Sequence, residues 1–226
     1  MATRSKKYLE LKKLVDPTKA YAPTDALDLV KKTSKTKFDG SVEVHIRLGI
    51  DTKKGEQAVR GALVLPHATG KTIRVAAFTT TQADAAKAAG ADLVGGKELI
   101  DEIKKSEKCN FDVAVAEPAL MKDLAQIAKI LGPKGLMPSP KNETVTPHIG
   151  KAVGELKRGK VTFKNDDSGN VHVAIGKVSF EGAKLLANFT AVTDAVKKAK
   201  PPTAKGTYLK AVTLAATMGP GIRVQI

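Results

Sequence analysis

The chain has 226 residues, with 38 Lys and Arg against 23 Asp and Glu, and its formal net charge is +15. A hydrophobic content of 42% supplies one large core or two modest ones, which excludes a disordered basic tail. The single cysteine, Cys109, excludes an internal disulfide, and no apolar run approaches the roughly 18 residues of a membrane span.

The N-terminal third predicts two helices followed by an antiparallel strand. Its basic first residues lack the apolar run of a secretory signal. Apolar residues recur at helical spacing over residues 8–14 and 24–32. From Ser41 to Leu48 polar and apolar residues alternate, as they do in a strand with one buried face.

From Lys71 onward the chain repeats a strand followed by a helix three times. The strands are predicted over residues 73–78, 92–94 and 112–116, and the helices over 82–89, 97–105 and 119–131. Short apolar strands that alternate with helices are typical of a parallel α/β sheet.

The C-terminal part returns to antiparallel patterns. Residues 160–165 and 170–175 flank Asp166-Asp167-Ser168-Gly169, which predicts a hairpin whose carboxylates shape an Asx turn. A helix over 181–198 and a strand over 208–214 follow.

The fold class predicted from these elements is α+β, in two domains. Residues 1–68 and 160–226 form one discontinuous antiparallel α+β domain, because neither end alone offers enough strands for a core. Residues 69–159 form an inserted α/β domain with a Rossmann-like, three-layer arrangement. The alternative is two or three domains in sequence.

The net charge is distributed unevenly along the chain. The two ends carry +12 of the net charge of +15, and so the discontinuous domain is the predicted site of nucleic-acid binding.

Aromatic residues make up only 4% of the chain, and there is no Trp. Proteins that bind single strands by stacking use more aromatic residues than this. The composition therefore favours recognition of folded RNA or DNA through shape, phosphate and sugar contacts.

The sequence offers no credible catalytic set, metal site or cofactor site. Gly70-Lys71-Thr72 resembles the end of a phosphate-binding loop, but Leu65 stands where that loop needs a glycine. The four histidines lie in separate segments without metal-ligand spacing or a neighbouring nucleophile. We therefore predict that the protein is not an enzyme.

The most informative turn is Thr217-Met218-Gly219-Pro220-Gly221, which lies between two apolar runs. Two glycines around a proline leave a stretch of backbone bare and fixed in shape. Such a turn suits close approach to a sugar edge of a nucleic acid, although an ordinary Gly-Pro turn is the alternative.

Four stretches of the chain resemble one known family. They lie at residues 38–44 (FDGSVEV), 59–75 (VRGALVLPHATGKTIRV), 127–138 (IAKILGPKGLMP) and 217–221 (TMGPG). Together they are similar to the bacterial form of the family of large-subunit ribosomal protein number one, nearly from end to end.

The resemblance implies a two-domain protein of the mobile stalk on the exit-site side of the large ribosomal subunit. It implies binding to large-subunit rRNA, help in moving and releasing exit-site tRNA, and contact with other ribosomal components. It also implies a translational repressor that binds its own operon mRNA. The resemblance further implies a cytoplasmic protein that is monomeric when it is free. It implies no membrane association and no cofactor.

The resemblance assigns RNA binding to residues at the start of the first strand and in the last turn: Lys37, Phe38, Ser41, Glu43, Thr207, Thr217, Met218 and Gly219. A Gly219 backbone approaches the minor groove, where 2′-hydroxyls are displayed. Thr217 offers a hydroxyl to a sugar or phosphate oxygen, and Met218 offers an adaptable apolar contact. Lys37 neutralises a phosphate, and Glu43 accepts a hydrogen bond from a 2′-hydroxyl or an amine.

Two of these residues have simpler interpretations, since Phe38 could lie in the core and Glu43 could only pair with a neighbouring Lys or Arg. The chain also departs from the family at Ala211, where some members carry a serine. One hydroxyl contact, worth roughly 0.5–1.5 kcal/mol, is therefore absent.

A second segment, residues 132–141, combines Gly and Pro with Lys134 and Lys141. Its restricted backbone predicts a ligand-facing loop with secondary contacts to RNA or tRNA. Two other functions remain as alternatives. One is general nucleic-acid binding without site specificity, and the other is a nucleotide-using enzyme built on the inserted domain.

Overall fold

A computed structural model describes residues 5–106 and 108–225, apart from the side chain of Lys141. The chain divides into two compact units. The first, called here the discontinuous unit, consists of Met1–Gly70 and Val161–Ile226, and the second, the inserted unit, is Lys71–Lys160.

The α-helices, in chain order, are α1 (Lys6–Lys13), α2 (Pro23–Thr33), α3 (Ala83–Ala88), α4 (Lys97–Ser106), α5 (Met121–Leu124), α6 (Ala128–Leu131), α7 (Ile149–Lys157) and α8 (Gly182–Lys198). Short 3₁₀ turns occupy Gly55–Gln57, Pro118–Leu120, Ala125–Ile127 and Pro140–Asn142.

The strands are β1 (Ser41–Leu48), β2 (Arg60–Val64), β3 (Val75–Phe78), β4 (Leu93–Gly95), β5 (Val113–Ala116), β6 (Lys160–Lys164), β7 (Asn170–Lys177), β8 (Leu209–Ala216) and β9 (Ile222–Val224). Among the described residues, no helix has the length and apolar content needed to cross a membrane.

The discontinuous unit is built on a four-stranded antiparallel sheet in the order β7-β1-β8-β9. Val42, Val44 and Ile46 of β1 are fully buried and pack with the apolar faces of α2 and α8. The alternate residues of β1 lie on the other, open face of the sheet. The alternation seen in the sequence therefore fixes which face of β1 is free for a ligand.

Helix α2 begins where its sequence predicts. Pro23 stands in the first turn, where its missing N–H costs nothing, and Asp25 lies at the positive end of the helix dipole. Ala26, Leu27 and Val30 form the buried stripe that faces the sheet.

The predicted hairpin over residues 160–175 is wrong in its pairing. Strand β6 pairs with β2 in a separate two-stranded sheet, while β7 joins β1. The pairing described between the two strands of the expected hairpin is the single bridge between Asn165 and Val171, next to the turn. The sequence did not predict β2, because Gly61 interrupts the apolar pattern. A Cβ at Gly61 would lie 2.6 Å from the Phe163 ring, so the glycine lets that ring pack against β2.

The turn between β6 and β7 is the Asx turn that the sequence predicts. Asp166 Oδ1 accepts from the backbone N–H groups of Asn170 at 2.6 Å and Ser168 at 2.9 Å. These hydrogen bonds, foremost that from the Asn170 backbone, lower the pKa of Asp166 to about 2. Its carboxylate is therefore a structural acceptor.

The inserted unit contains a parallel sheet in the order β4-β3-β5, with separate apolar clusters on its two faces. The antiparallel sheet of the discontinuous unit and the parallel sheet of the inserted unit, each packed with helices, confirm the predicted α+β fold class. The helix predicted over residues 119–131 is instead a run of short helical and 3₁₀ turns. No Gly or Pro lies within it to mark the breaks, so propensity alone could not show them.

Candidate nucleic-acid interface

The start of β1 and the turn after β8 are locked together by hydrogen bonds. Thr217 Oγ1 accepts from the Ser41 N–H at 2.9 Å and donates to the Ser41 carbonyl at 3.2 Å. The Thr217 N–H donates to the same carbonyl at 2.9 Å. The hydroxyl proton assigned from sequence to an RNA oxygen is thus used within the protein, where it holds the turn against β1.

The turn itself places a methionine in a strained conformation. The Gly219 N–H donates to the Ala216 carbonyl at 2.8 Å, and Met218 has a φ of 64°. This is the third position of a type II turn, which normally takes glycine. A left-handed conformation costs a residue with a side chain roughly 1–2 kcal/mol. This cost falls on Met218, because Met218 and not the neighbouring Gly219 has the positive φ.

Phe38 and Met218 are the most exposed large apolar side chains among the described residues, at 61% and 79%. The interpretation of Phe38 as a core residue is therefore wrong. Lys37 beside it is also exposed. Thr36 Oγ1 donates to the Phe38 carbonyl at 2.7 Å, which helps to shape the loop before β1.

The loop before β1 is also tied to the segment that follows β7. The Ser179 hydroxyl donates to Asp39 at 2.7 Å, and the Val178 N–H donates to the Gly40 carbonyl at 2.9 Å. Lys177 Nζ donates to Ser41 Oγ at 3.2 Å. No local pattern marks Lys177 as a neighbour of Ser41, since their pairing depends on the register between β1 and β7.

Glu43 lies one step further along the open face of β1, with 45% of its side chain exposed. Its neighbours across the sheet are Ala174 and Ala215, whose small side chains leave the carboxylate accessible. Within the described part of the chain, its ionic contact is His45 at 3.8 Å rather than a Lys or Arg. The arrangement leaves Glu43 able to accept a further hydrogen bond.

Two histidines meet in the middle of the open face. The Nδ1 atoms of His45 and His172 are 2.7 Å apart, so a single proton can lie between them. His172 Nε2 is 3.5 Å from Asp166. Burial, followed by the nearby charge of His172, lowers the pKa of His45 below its ordinary value of 6.5, while Glu43 opposes the shift.

This geometry predicts that stability falls on mild acidification. Because the unfolded chain binds a proton at His45 more readily, the contribution is complete above pH 6.5 and declines as the pH falls toward the lower folded pKa. We expect His45→Gln to abolish that decline. Urea unfolding of both proteins between about pH 5 and pH 8 measures it. His148→Gln, in the inserted unit, is the control, and a pH-independent difference between wild type and His45→Gln would contradict the prediction.

The structure brings together most, but not all, of the candidate residues. Lys37, Phe38, Thr217 and Met218 line one cleft. Thr207 precedes the opposite end of β8, roughly 30 Å along the strand from Thr217 at 3.3 Å per residue. Ala211 lies opposite Arg47, half-exposed.

The second candidate segment lies in the inserted unit. Gly135 has a φ of 69°, and its N–H donates to the Gly132 carbonyl at 3.0 Å. Lys134 Nζ is 3.7 Å from the sulfur of Cys109, and the Lys141 side chain lies outside the described residues. No group of three or more His, Cys, Asp and Glu in the described ranges could hold a metal ion.

The family described as ribosomal protein L1p/L10e matches residues 30–220, which include the loop before β1 and the turn after β8. The chain belongs to this family. The resemblance read from the sequence is thereby confirmed. Membership in the ribosomal L1 family makes the chain a large-subunit ribosomal protein that binds rRNA in the cytoplasm. The family is structural rather than enzymatic.

Proposed function

We propose that this protein binds rRNA of the mobile stalk through one surface of the discontinuous unit, called here the binding edge. The binding edge consists of Lys37, Phe38, Ser41, Glu43, Thr217, Met218 and Gly219. The observation that carries the proposal is the pair of exposed apolar side chains, Phe38 and Met218, fixed beside Lys37 on a hydrogen-bonded frame. Strained backbone, as at Met218, and contiguous exposed apolar surface both concentrate at binding sites.

Each part of the edge has a chemical role toward a folded RNA. Lys37 neutralises a phosphate, and Glu43 accepts from a 2′-hydroxyl or an exocyclic amine. Gly219 lets the backbone approach the minor groove. Thr217 acts through the protein, since its hydroxyl bonds to Ser41 and fixes the turn. Thr207, at the other end of β8, would contact only an RNA that extends along the strand.

The same edge provides a mechanism for repression. A structure in the protein's own operon mRNA that presents the same sugar and phosphate groups would compete with rRNA for one site. Free protein would then bind the mRNA and block its translation once rRNA is saturated. On the ribosome, the rRNA-bound protein would assist the movement and release of exit-site tRNA.

The test is binding of the full chain to three RNAs across a salt series: the rRNA stalk, the operon mRNA leader and an unrelated hairpin of equal length. We expect both specific RNAs to bind about 10³-fold more tightly than the hairpin and to displace each other. Equal binding to all three, with a steep loss in salt, would instead establish a general phosphate binder.

The inserted unit is assigned secondary contacts with RNA or tRNA through residues 132–141. Replacement of Lys134 and Lys141 by alanine is therefore expected to leave the affinity for the isolated rRNA stalk nearly unchanged. Filter binding at fixed salt measures this, with Lys37→Ala as the positive control. A large loss in the Lys134 and Lys141 variant would contradict the division between the two units.

A further inference from the structure

A cleft of about 420 Å³ lies between helix α1, the loop before β1 and the turn after β8. It falls within the range of roughly 300–1,000 Å³ that is typical of small-molecule sites. Phe38 and Met218 of the binding edge line it together with Tyr8 and Leu11 of α1. Helix α1 lies outside the residues matched by the family.

The cleft gathers groups that suit a flat, apolar ring. Among the apolar lining residues, Leu11 is only 5% exposed, whereas Phe38 and Met218 are largely open to solvent. Tyr8 is half-buried. The chain has nine Tyr and Phe residues in total, and two of them line this one cleft. In a protein that uses aromatic residues so sparingly, this placement points to stacking.

The charge around the cleft selects the occupant. Lys7, Lys35 and Lys37 line it, and none of its described lining residues is Asp or Glu. Cations beside apolar side chains match a base attached to a phosphate backbone, because the backbone brings negative charge to the cleft together with the ring. A purely apolar partner would leave these cations unused.

We propose that the cleft receives one unstacked nucleobase of the bound rRNA, held between Tyr8 and Phe38, with Lys7 and Lys35 on its flanking phosphates. This inference rests on the proposed function and adds helix α1 to the RNA contacts. It also explains why Phe38 and Met218 remain exposed in the free protein. Sequence-specific recognition of RNA commonly uses bases that are splayed out of the helix in this manner.

The test uses the full chain and a set of rRNA stalk fragments, each with one unpaired nucleotide made abasic. Tyr8→Ala is expected to weaken binding of the intact fragment about 5- to 150-fold, while Tyr8→Phe retains most of the affinity. Leu9→Ala, an exposed residue of the same helix outside the cleft, is the matched control. At one unpaired position, the abasic substitution should lower the affinity of the wild-type protein by about as much as Tyr8→Ala does. The same abasic substitution should not lower the affinity of the Tyr8→Ala variant any further.

This coupling is the decisive result, because a general loss of folding in Tyr8→Ala would weaken every fragment without it. A 2-aminopurine at the coupled position gives a second readout in wild type, where its fluorescence should fall as the ring stacks. If the two changes are not coupled at any unpaired position, the cleft does not receive a base and the cleft proposal is overturned. This holds both for a cleft that stays empty and for one that receives a protein side chain. The preference of wild type for the stalk over an unrelated hairpin would then persist, whereas its loss would refute the proposed function itself.

Discussion

Replacement of both Phe38 and Met218 by alanine is expected to weaken binding of the rRNA stalk by about 10- to 100-fold, because stacking on an aromatic side chain is worth roughly 1–3 kcal/mol per base. Both side chains are mostly exposed, so their removal sacrifices little apolar burial in the free protein. Alanine at 218 keeps a Cβ, and the strain of the positive φ therefore remains. Titration with labelled stalk RNA measures the affinity.

The matched control is the double variant of Leu14→Ala and Val64→Ala. These residues are 56% and 45% exposed, belong to the same unit and lie outside the cleft. The control should bind the stalk like wild type. An equal loss in the two double variants, or no loss in the first, would show that the exposed apolar pair does not contact RNA.

Thr217→Val is expected to lower the free energy of unfolding of the discontinuous unit by about 1–3 kcal/mol, because the Ser41 N–H loses its acceptor. Valine preserves the branched shape, so the hydroxyl is the principal loss. The affinity for RNA should fall as well, since the turn is no longer held against β1. Thr217→Ser keeps the hydroxyl and should resemble wild type in both measurements.

Tyrosine fluorescence during urea unfolding reports the discontinuous unit selectively. All three tyrosines of the chain, Tyr8, Tyr21 and Tyr208, belong to it. Tyr208 is buried, which raises the pKa of its phenol to about 12, and its hydroxyl donates to the Val196 carbonyl at 3.0 Å. If Thr217→Val and Thr217→Ser unfold at the same urea concentration as wild type, the hydroxyl has no part in holding the turn.

The open face of the sheet owes its chemistry to the alternation within β1. The same strand that buries Val44 and Ile46 places Glu43 and His45, both half-buried, on the opposite, open face. A ligand on this face therefore meets a rigid surface, because its polar groups stand on a strand anchored by the core.

Much of the fold followed from local patterns in the sequence. The alternation of polar and apolar residues in β1 correctly predicted its bounds and its buried face. The apolar strands with helices between them correctly predicted the parallel sheet of the inserted unit. The partner of β6 did not follow, because strand pairing depends on distant residues that no local pattern reveals.

The candidate site was only partly accessible from sequence. Motifs located the turn at residues 217–221, but the bond between Thr217 and Ser41 joins residues 176 positions apart. The positive φ of Met218 contradicts the simple expectation that a glycine takes such a position. Tyr8 carries no local signal at all, since its relevance arises only where α1 packs beside the turn.

The central claim is that site-specific RNA recognition resides in the discontinuous unit. The most direct measurement is the ratio of affinities for the rRNA stalk and an unrelated hairpin, across salt, for the full chain and for residues 1–70 joined to 161–226. Tyrosine fluorescence during urea unfolding establishes that the joined protein folds. We predict that it keeps a preference of about 10³-fold for the stalk. A folded joined protein that binds both RNAs alike, while the full chain retains its preference, would contradict the account.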